Sequence, residues 1–328
     1  MPQVSIITPS YNQAEYLEQT IRSVLGQGYP NLEYIIVDGG SMDGSVEIIR
    51  KYADRLAWWV SEPDNGQADA INKGLRRATG EIVAWLNSDD LYAPGAVAQA
   101  AAEMERHPNV GLVYGNAVTF NQDGRPLNDL EFADWGLEGL VAFKIICQPA
   151  VFMRREVLEQ AGYLNETYHF LLDHELWLRI ATIAEIQHVH RVWAFARHHA
   201  AAKNVAQAAG FGAEAYRILD WMGTQPELAA LVARNRRRVW SAAHRFNARY
   251  LLDGGQAWPA LKAYLRALGT HPQTALTEWH RILFAALSIV GAGWLGDVYY
   301  RTQQSKLPTS MQVMGIDNLN ALYEIECQ

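Results

Sequence analysis

The first hundred residues alternate β-branched apolar runs with helical patterns, and the strand ends carry aspartates. Residues 4–8, 33–37, 56–60 and 81–86 read as short strands. Between them, Leu17, Ile21, Val24 and Leu25 recur at helical spacing within 15–27, and further helices are expected over 45–52 and 67–77. Strand–helix alternation of this kind folds as a doubly wound, mostly parallel sheet. Ligands of such sheets bind beyond the carboxyl ends of the strands. Asp38, Asp64 and Asp89 stand at those ends or a few residues past them. Each alone is an ordinary turn residue. Carboxylates gathered at one sheet edge repel one another unless they face a metal or a ligand.

The stretch over residues 81–90 is the centre of this pattern: a buried apolar run, punctuated by Gly80 and Pro94, that runs out into Asp89 and Asp90. Paired carboxylates at a strand tip can hold a hard divalent cation, which takes its other ligands from water or substrate phosphates. The same residues also suit a turn that caps the helix from Pro94. After the second strand, Gly39, Gly40 and Gly44 let the backbone approach a ligand closely. Their spacing is not the G-x-G-x-x-G of a dinucleotide site.

A chain of 328 residues has room for two domains, or for one large domain with an appendage. Its net charge of -7 is unevenly spread, about -10 over residues 1–203 and +3 over 204–328. An acidic front half argues against nucleic-acid binding there. Cys147 and Cys327 form neither a disulfide framework nor a zinc spacing and suit a reducing cytosol. The opening residues lack the basic and apolar regions of a secretory leader. A cytoplasmic protein is expected, open to peripheral contact at the inner face of the membrane.

Three motifs occur in order: Ser5-Ile6-Ile7-Thr8-Pro9-Ser10-Tyr11-Asn12, Val37-Asp38-Gly39-Gly40-Ser41-Met42-Asp43-Gly44, and Asn87-Ser88-Asp89-Asp90. Together they resemble the nucleotide-sugar domain of the family 2 inverting glycosyltransferases, and the resemblance extends to about residue 205. It implies a GT-A fold, an α/β architecture with a mixed, mostly parallel sheet. By the same resemblance Thr8, Pro9 and Tyr11 would line the nucleotide pocket and Asp38 would hydrogen-bond the base. Asp64, Gln67 and Lys73 would border the nucleoside or diphosphate. Asn87, Ser88 and Asp89 occupy the family's D-x-D position, whose last carboxylate binds Mn²⁺ or Mg²⁺ on the donor. Asn87 replaces the first Asp; it can reach a ribose hydroxyl but brings no charge, so the metal contact is assigned to Asp89.

Further along, residues 110–120 read as a strand interrupted at Gly115-Asn116, and residues 148–155 as another strand leading into a helix from Glu156. Leu176, Leu178, Ile180 and Ile183 point to a buried helix with Asp173 at its start, where an N-cap is ordinary. The segment also resembles the family's E-D-x-x-L-W-L-R, with Leu172 in place of Glu, which implies that Asp173 is the general base. A last strand is expected over 186–195. Beyond it His199 and Lys203 match a loop that closes over the diphosphate in the family, His199 as a metal ligand and Lys203 as a phosphate contact.

From about residue 204 the composition turns to Ala, Leu, Arg and Trp, and three to five helices are expected. Arg234, Arg238, Arg245 and Arg249 would share one helix face, suited to solvent or to anionic lipid. The uncharged residues 282–296 span about 22 Å as a helix, short of a bilayer; a buried core helix is expected, with an interfacial helix as the alternative.

The expected domains are a catalytic one over 1–204 and a helical C-terminal region over 205–328 for acceptor, oligomer or membrane-surface contacts. The expected function is metal-dependent, inverting transfer of a sugar from a nucleotide-diphospho-sugar donor to a hydroxyl of a glycan or lipid-linked acceptor, in cell-surface polysaccharide synthesis. A non-catalytic sugar-nucleotide or glycan-binding module on the same fold is the alternative.

Overall fold

The computed structural model describes residues 1–199, 207–292 and 294. Two compact units divide them: Met1–Gly136 with Ile146–His198, and Leu137–Ile145 with the described residues from His199 onward.

The first unit is built on one mixed sheet. Its opening half is β1 (Val4–Ser10), α1 (Ala14–Leu25), β2 (Leu32–Asp38), α2 (Ser45–Lys51), β3 (Trp58–Ser61), α3 (Gln67–Arg77) and β4 (Ile82–Trp85). β1 pairs in parallel with both β2 and β4, and β3 joins β2 in parallel. The carboxyl ends of these four strands therefore share one edge. Every residue of β1 is buried, as continuous apolar runs in a sheet covered on both faces must be. Ile7 packs so closely under α3 that a Cβ on Gly74 would lie 2.5 Å from its Cγ2. Burying one such isoleucine contributes about 1.5–3 kcal/mol.

The closing half adds β5 (Leu91–Tyr92), α4 (Ala96–Arg106), β6 (Val110–Asn121), β7 (Pro126–Leu130), β8 (Val151–Arg154), α6 (Arg155–Ala161), α7 (Leu172–Ile183) and β9 (Glu185–His198), with α5 (Gly136–Val141) between β7 and β8. The spatial order is β3-β2-β1-β4-β8-β6-β9-β5, with β7 beside β6. The turn to mixed pairing comes at β8, which runs antiparallel to both β4 and β6.

Several expectations change here. β6 is continuous, and the expected break at Gly115-Asn116 is a shift of register against β9, where the Trp193 ring fills the space over Gly115. Residues 148–150 form a 3₁₀ turn, so β8 begins only at Val151. The short elements β5, β7 and α5 carry too little periodicity to be read in sequence.

α1 and α2 are tied by Glu18, which accepts from Arg22 (2.8 Å), Lys51 (2.7 Å) and the Tyr52 hydroxyl (2.8 Å). Burial opposes ionisation of Glu18, but these donors outweigh it and hold its pKa at about 2. α1 also receives a cap from outside itself, because Asp43 accepts from the Ala14 amide at 2.9 Å.

From residue 207 onward the described residues form six helices, one more than the largest number expected there: α8 (Ala208–Met222), α9 (Pro226–Arg234), α10 (Arg236–Asp253), α11 (Ala257–Thr270), α12 (Pro272–Leu276) and α13 (Trp279–Ile289). The expected four-arginine face does not form. Arg234 closes α9, and Arg245 is buried in an ion pair with Glu278 at 2.8 Å. α13 is not a core helix either, since of its residues only Ala285 is buried. Residues 293, 295 and 296 of the uncharged stretch lie outside the described residues.

The Glu18 cluster predicts a specific acid response. A carboxylate whose pKa is depressed on folding stabilises the fold above its unfolded value near 4.5 and loses that contribution as pH falls toward about 2. Glu18→Gln should lose about 1–2 kcal/mol at pH 7, after allowance for solvent screening. The gap to the parent should close between pH 5 and 2 in chemical denaturation, and a constant gap would remove the linkage.

Candidate active site

The β1–β3 tips are organised by a carboxylate turned onto its own loop. Asp38 is fully buried and accepts from the amides of Gly40 (3.1 Å) and Ser41 (2.9 Å) and from the hydroxyls of Ser41 (2.6 Å) and Ser61 (2.7 Å). These four bonds shape the loop that follows β2. Asn12, at φ 51°, stitches it to the loop after β1: its amide donates to Ser41 and its side-chain oxygen accepts from Met42. Thr8 and Pro9 are buried within β1, where Thr8 shares a 3.0 Å hydrogen bond with the Tyr34 hydroxyl. Tyr11 is exposed just beyond the strand. Tyr11 and Asp64 converge over Gly39, where an added Cβ would meet an Asp64 oxygen at 2.6 Å and the Tyr11 ring at 3.2 Å. On the far side of this loop a cleft of about 540 Å³ opens between Ser41, Gly44, Glu47, Arg50, Trp59 and Ser61.

The β4 tip holds a denser network. Asn87 accepts from Gln67 Nε2 at 2.8 Å and donates from Nδ2 to Asp90 Oδ2 and to Gln148 Oε1, each at 3.2 Å. Gln148 in turn donates to the Trp85 carbonyl at 2.7 Å, so a residue next to β8 holds the end of β4. Asp90 is buried and accepts from the Arg197 amide at 2.9 Å. Burial pushes its carboxyl well up, the neighbouring Asp89 charge adds to this, and the Arg197 and Asn87 donors oppose it. Arg197, itself buried, donates from Nε to the Asp89 carbonyl (2.9 Å) and from Nη2 to Gln19 (2.6 Å). Its guanidinium lies 4.6 Å from the Tyr16 ring and 4.5 Å from that of Phe120. Ser88 is buried, and Asp89 is half-buried.

The amide at position 87 has a local reason. An aspartate there, as in the D-x-D pattern, would set a second carboxylate against buried Asp90 and remove the donor Asp90 uses. The tip would then hold three acids within four residues.

α7 brings the remaining acid. Asp173 lies in its first turn, half-buried, with Oδ1 accepting from the His174 amide at 2.7 Å. Two contacts fix the helix. Trp177 stacks on Trp85 of β4 at 5.3 Å, and Arg179 forms a two-pronged pair with Glu175 while donating to the carbonyls of Ala161, Gly162 and Tyr163. The Cys147 thiol, partly open to solvent but densely packed on its protein side, is pushed up first by burial and then by the charges of both Asp90 and Asp173. The Trp85–Trp177 stack thus sets α7 beside the end of β4.

Other expected residues fall elsewhere. Lys73 on α3 pairs with Glu62 (3.1 Å) and Asp69 (3.6 Å). His199 is buried and belongs to the second unit, and Lys203 lies outside the described residues. Arg197, Gln148 and Cys147 were not singled out from sequence. Each acts through a partner more than fifty positions away, and no local pattern marks them.

No three His, Cys, Asp or Glu side chains converge as a metal cluster among the described residues. The donor set nevertheless suits a hard cation that keeps phosphate and water ligands. Asp90 is buried and engaged, Asn87 is neutral, and Asp89 is the acid of the tip that retains solvent access.

Comparison with known proteins agrees with this geometry. A mannosyltransferase of Pyrobaculum calidifontis, determined with GDP-Man and Mn²⁺, superposes with a TM-score of 0.59 at 23% identity, over 98% of this chain and 86% of that one. S. aureus TarS 1–349 with UDP-GlcNAc superposes at 0.57 and 17% identity, over 88% of this chain and 92% of that one. These likenesses establish the fold, which is of the GT-A type with a helical C-terminal region. The family profile "Glycosyl transferase family 2" matches residues 5–162. An uncharacterized glycosyltransferase of Mycobacterium tuberculosis is 31% identical over 192 residues, 56% of this chain and 71% of that protein. The chain belongs to glycosyl transferase family 2. It spans about a third (34%) of the length of two other curated relatives that it matches at 29% identity.

Asn87→Asp tests the network. It should destabilise the protein by about 1–3 kcal/mol at pH 7, the cost of a lost buried hydrogen bond and an added like charge. Denaturant midpoints should show the loss shrinking as pH falls and the added carboxylate charge is neutralised; a neutral substitution at pH 7 would contradict the role given to the Asn87 amide.

Proposed function

We propose that this chain is a metal-dependent, inverting glycosyltransferase that moves a sugar from a nucleotide-diphospho-sugar to a hydroxyl of a glycan or lipid-linked acceptor. One observation carries the reading: Trp177, on the helix that begins with Asp173, stacks at 5.3 Å on Trp85 at the end of β4, so the Asp173 helix lies beside the strand whose tip carries Asp89, from segments more than eighty residues apart. Inversion needs one base on the acceptor side and charge neutralisation on the leaving-group side, with no covalent intermediate.

Asp173 is the general base. Its carboxylate, oriented by the His174 amide, takes the acceptor hydroxyl proton as that oxygen attacks the anomeric carbon. Asp89 is the residue that would hold Mn²⁺ or Mg²⁺, which when bound neutralises the departing nucleoside diphosphate. Arg197 and Asn87 keep Asp89 in place through its carbonyl and through Asp90. Tyr11 and Asp64, converging over Gly39, form one wall for the nucleoside, with Thr8, Pro9, Asp38 and Gln67 supporting it from behind. Ser88, Lys73, His199 and Lys203 keep the auxiliary roles that the family resemblance implies. Two solved neighbours carry different nucleotides, GDP-Man and UDP-GlcNAc, so the base stays open, and the neighbour with Mn²⁺ favours a divalent ion. Residues 1–204 would act as the catalytic domain and 205–328 as the region for acceptor, membrane-surface or self-association contacts, at the cytoplasmic side of the membrane.

The test is turnover. With Mn²⁺ and a matched donor, Asp173→Asn should lower kcat by about 10²–10⁴-fold while donor binding persists. Asp89→Asn should abolish the metal-dependent thermal shift given by the nucleotide, as chelation does for the parent. Unchanged nucleoside diphosphate release in both variants would overturn the assignment in favour of a sugar-nucleotide-binding module.

A further inference from the structure

Two helices of the second unit, α11 and α13, turn some of their large apolar side chains outward. α11 and α13 pack against one another with α10 around Tyr264, with Ala260, Ala263, Ala285 and Leu252 buried and Leu261, Ile282 and Phe284 partly so. The indoles of Trp258, Trp279 and Trp294 are 55%, 61% and 63% exposed, and Leu265, Leu276 and Leu283 are each more than half exposed. Trp258 and Leu265 fall seven positions apart on α11, and Trp279 and Leu283 four apart on α13, so each helix carries its exposed residues as a stripe. A helix that buries alanine and exposes tryptophan and leucine has its larger apolar contact outside the fold. Exposed apolar patches of this kind mark interaction surfaces.

Charge identifies the occupant. From Asp253 to Trp294 the acids are Asp253 and Glu278, and both are already paired: Asp253 with Arg281 at 2.6 Å, and buried Glu278 with Arg245 at 2.8 Å and the Tyr264 hydroxyl at 3.0 Å. Lys262 and Arg266 stand exposed on α11 beside Trp258 and Leu265, and the Lys262 ammonium lies 5.1 Å from the Trp258 ring. A second copy docked about a two-fold axis would set like charges together, because such an interface uses the same patch on both sides. An anionic lipid surface matches both features: indoles rest at headgroup depth, and lysine and arginine reach the phosphates. No helix among the described residues is long and apolar enough to cross a bilayer.

We infer that the Trp258–Leu265 face of α11 and the Trp279–Leu283 face of α13 form an interfacial docking surface for anionic membranes. This surface stands independently of the transfer reaction.

The full chain would be co-sedimented with vesicles of about 30% anionic lipid in neutral lipid, and with neutral vesicles alone. Expected is partition onto the anionic vesicles with a blue shift of tryptophan emission. Trp279→Ser with Leu283→Ser should weaken partition about tenfold or more, and Lys262→Glu with Arg266→Glu should abolish the preference for anionic lipid. Both are surface changes, and the nucleotide-dependent thermal shift should report the same fold in each. The inference is overturned if the parent stays in the supernatant with both vesicle types, or if both double variants bind like the parent. It is equally overturned if light scattering shows a parent dimer that Trp279→Ser with Leu283→Ser dissociates, which would assign the stripe to a second copy. A chain that binds vesicles but no nucleotide would keep this surface and sink the transferase reading instead.

Discussion

A buried guanidinium holds the site together. Arg197, near the end of β9, reaches the Asp89 carbonyl and Gln19 of α1, while its backbone amide donates to Asp90. A buried charge is tolerated only with partners, and removing one leaves the other uncompensated. Here the guanidinium takes the Asp89 carbonyl and Gln19 as hydrogen-bond partners, and the nearby Asp90 charge favours its charged form. The two rings flanking the guanidinium, Tyr16 and Phe120, come from α1 and β6. One side chain thus ties the first β-α unit, the β4 tip and the closing strands of the sheet together, and sets the backbone from which Asp89 projects.

Around that tie the protein spends neutral amides where its family resemblance would place another acid. Asn87 satisfies Asp90, Gln67 and Gln148 at once, which a carboxylate cannot do because it has no donor. Leaving Asp89 as the accessible acid concentrates the negative charge at one point of the tip. The reach from there to Asp173 is set by packing of large side chains: Trp85 against Trp177, and Arg179 bridging α7 to the residues after α6. Packing of this kind fixes where α7 and the β4 tip stand relative to one another.

The helical unit follows a different logic. Its internal contacts combine alanine packing around Tyr264, aromatic contacts such as Phe211 with Tyr250, and enclosed pairs such as Arg245 with Glu278. A sequence reading by periodicity takes an uncharged run for a core helix, because apolar residues usually point inward. α13 departs from this: Ala285 is its buried residue, Ile282 and Phe284 pack only in part, and Trp279 and Leu283 stay exposed. The same argument explains Arg245: a lone arginine on a helix reads as solvated until an acid thirty-three residues away is placed against it.

Much of the first unit was legible in the linear chain. Period-two and period-3.6 patterning located β1, β2, β4 and helices α1 to α3, because a parallel sheet covered on both faces requires near-continuous apolar strands. The carboxylates at the strand ends followed from the same alternation, since a strand tip is where a chain must turn polar. The antiparallel insertion of β8, the register shift over Gly115 and the three-way role of Asn87 were decided in three dimensions, as were the burial of Arg197 and the outward face of α13. Local propensity ends within a turn or two of each residue. These features depend on which distant segments share a neighbourhood, and that is settled only when the sheet closes and brings those segments together.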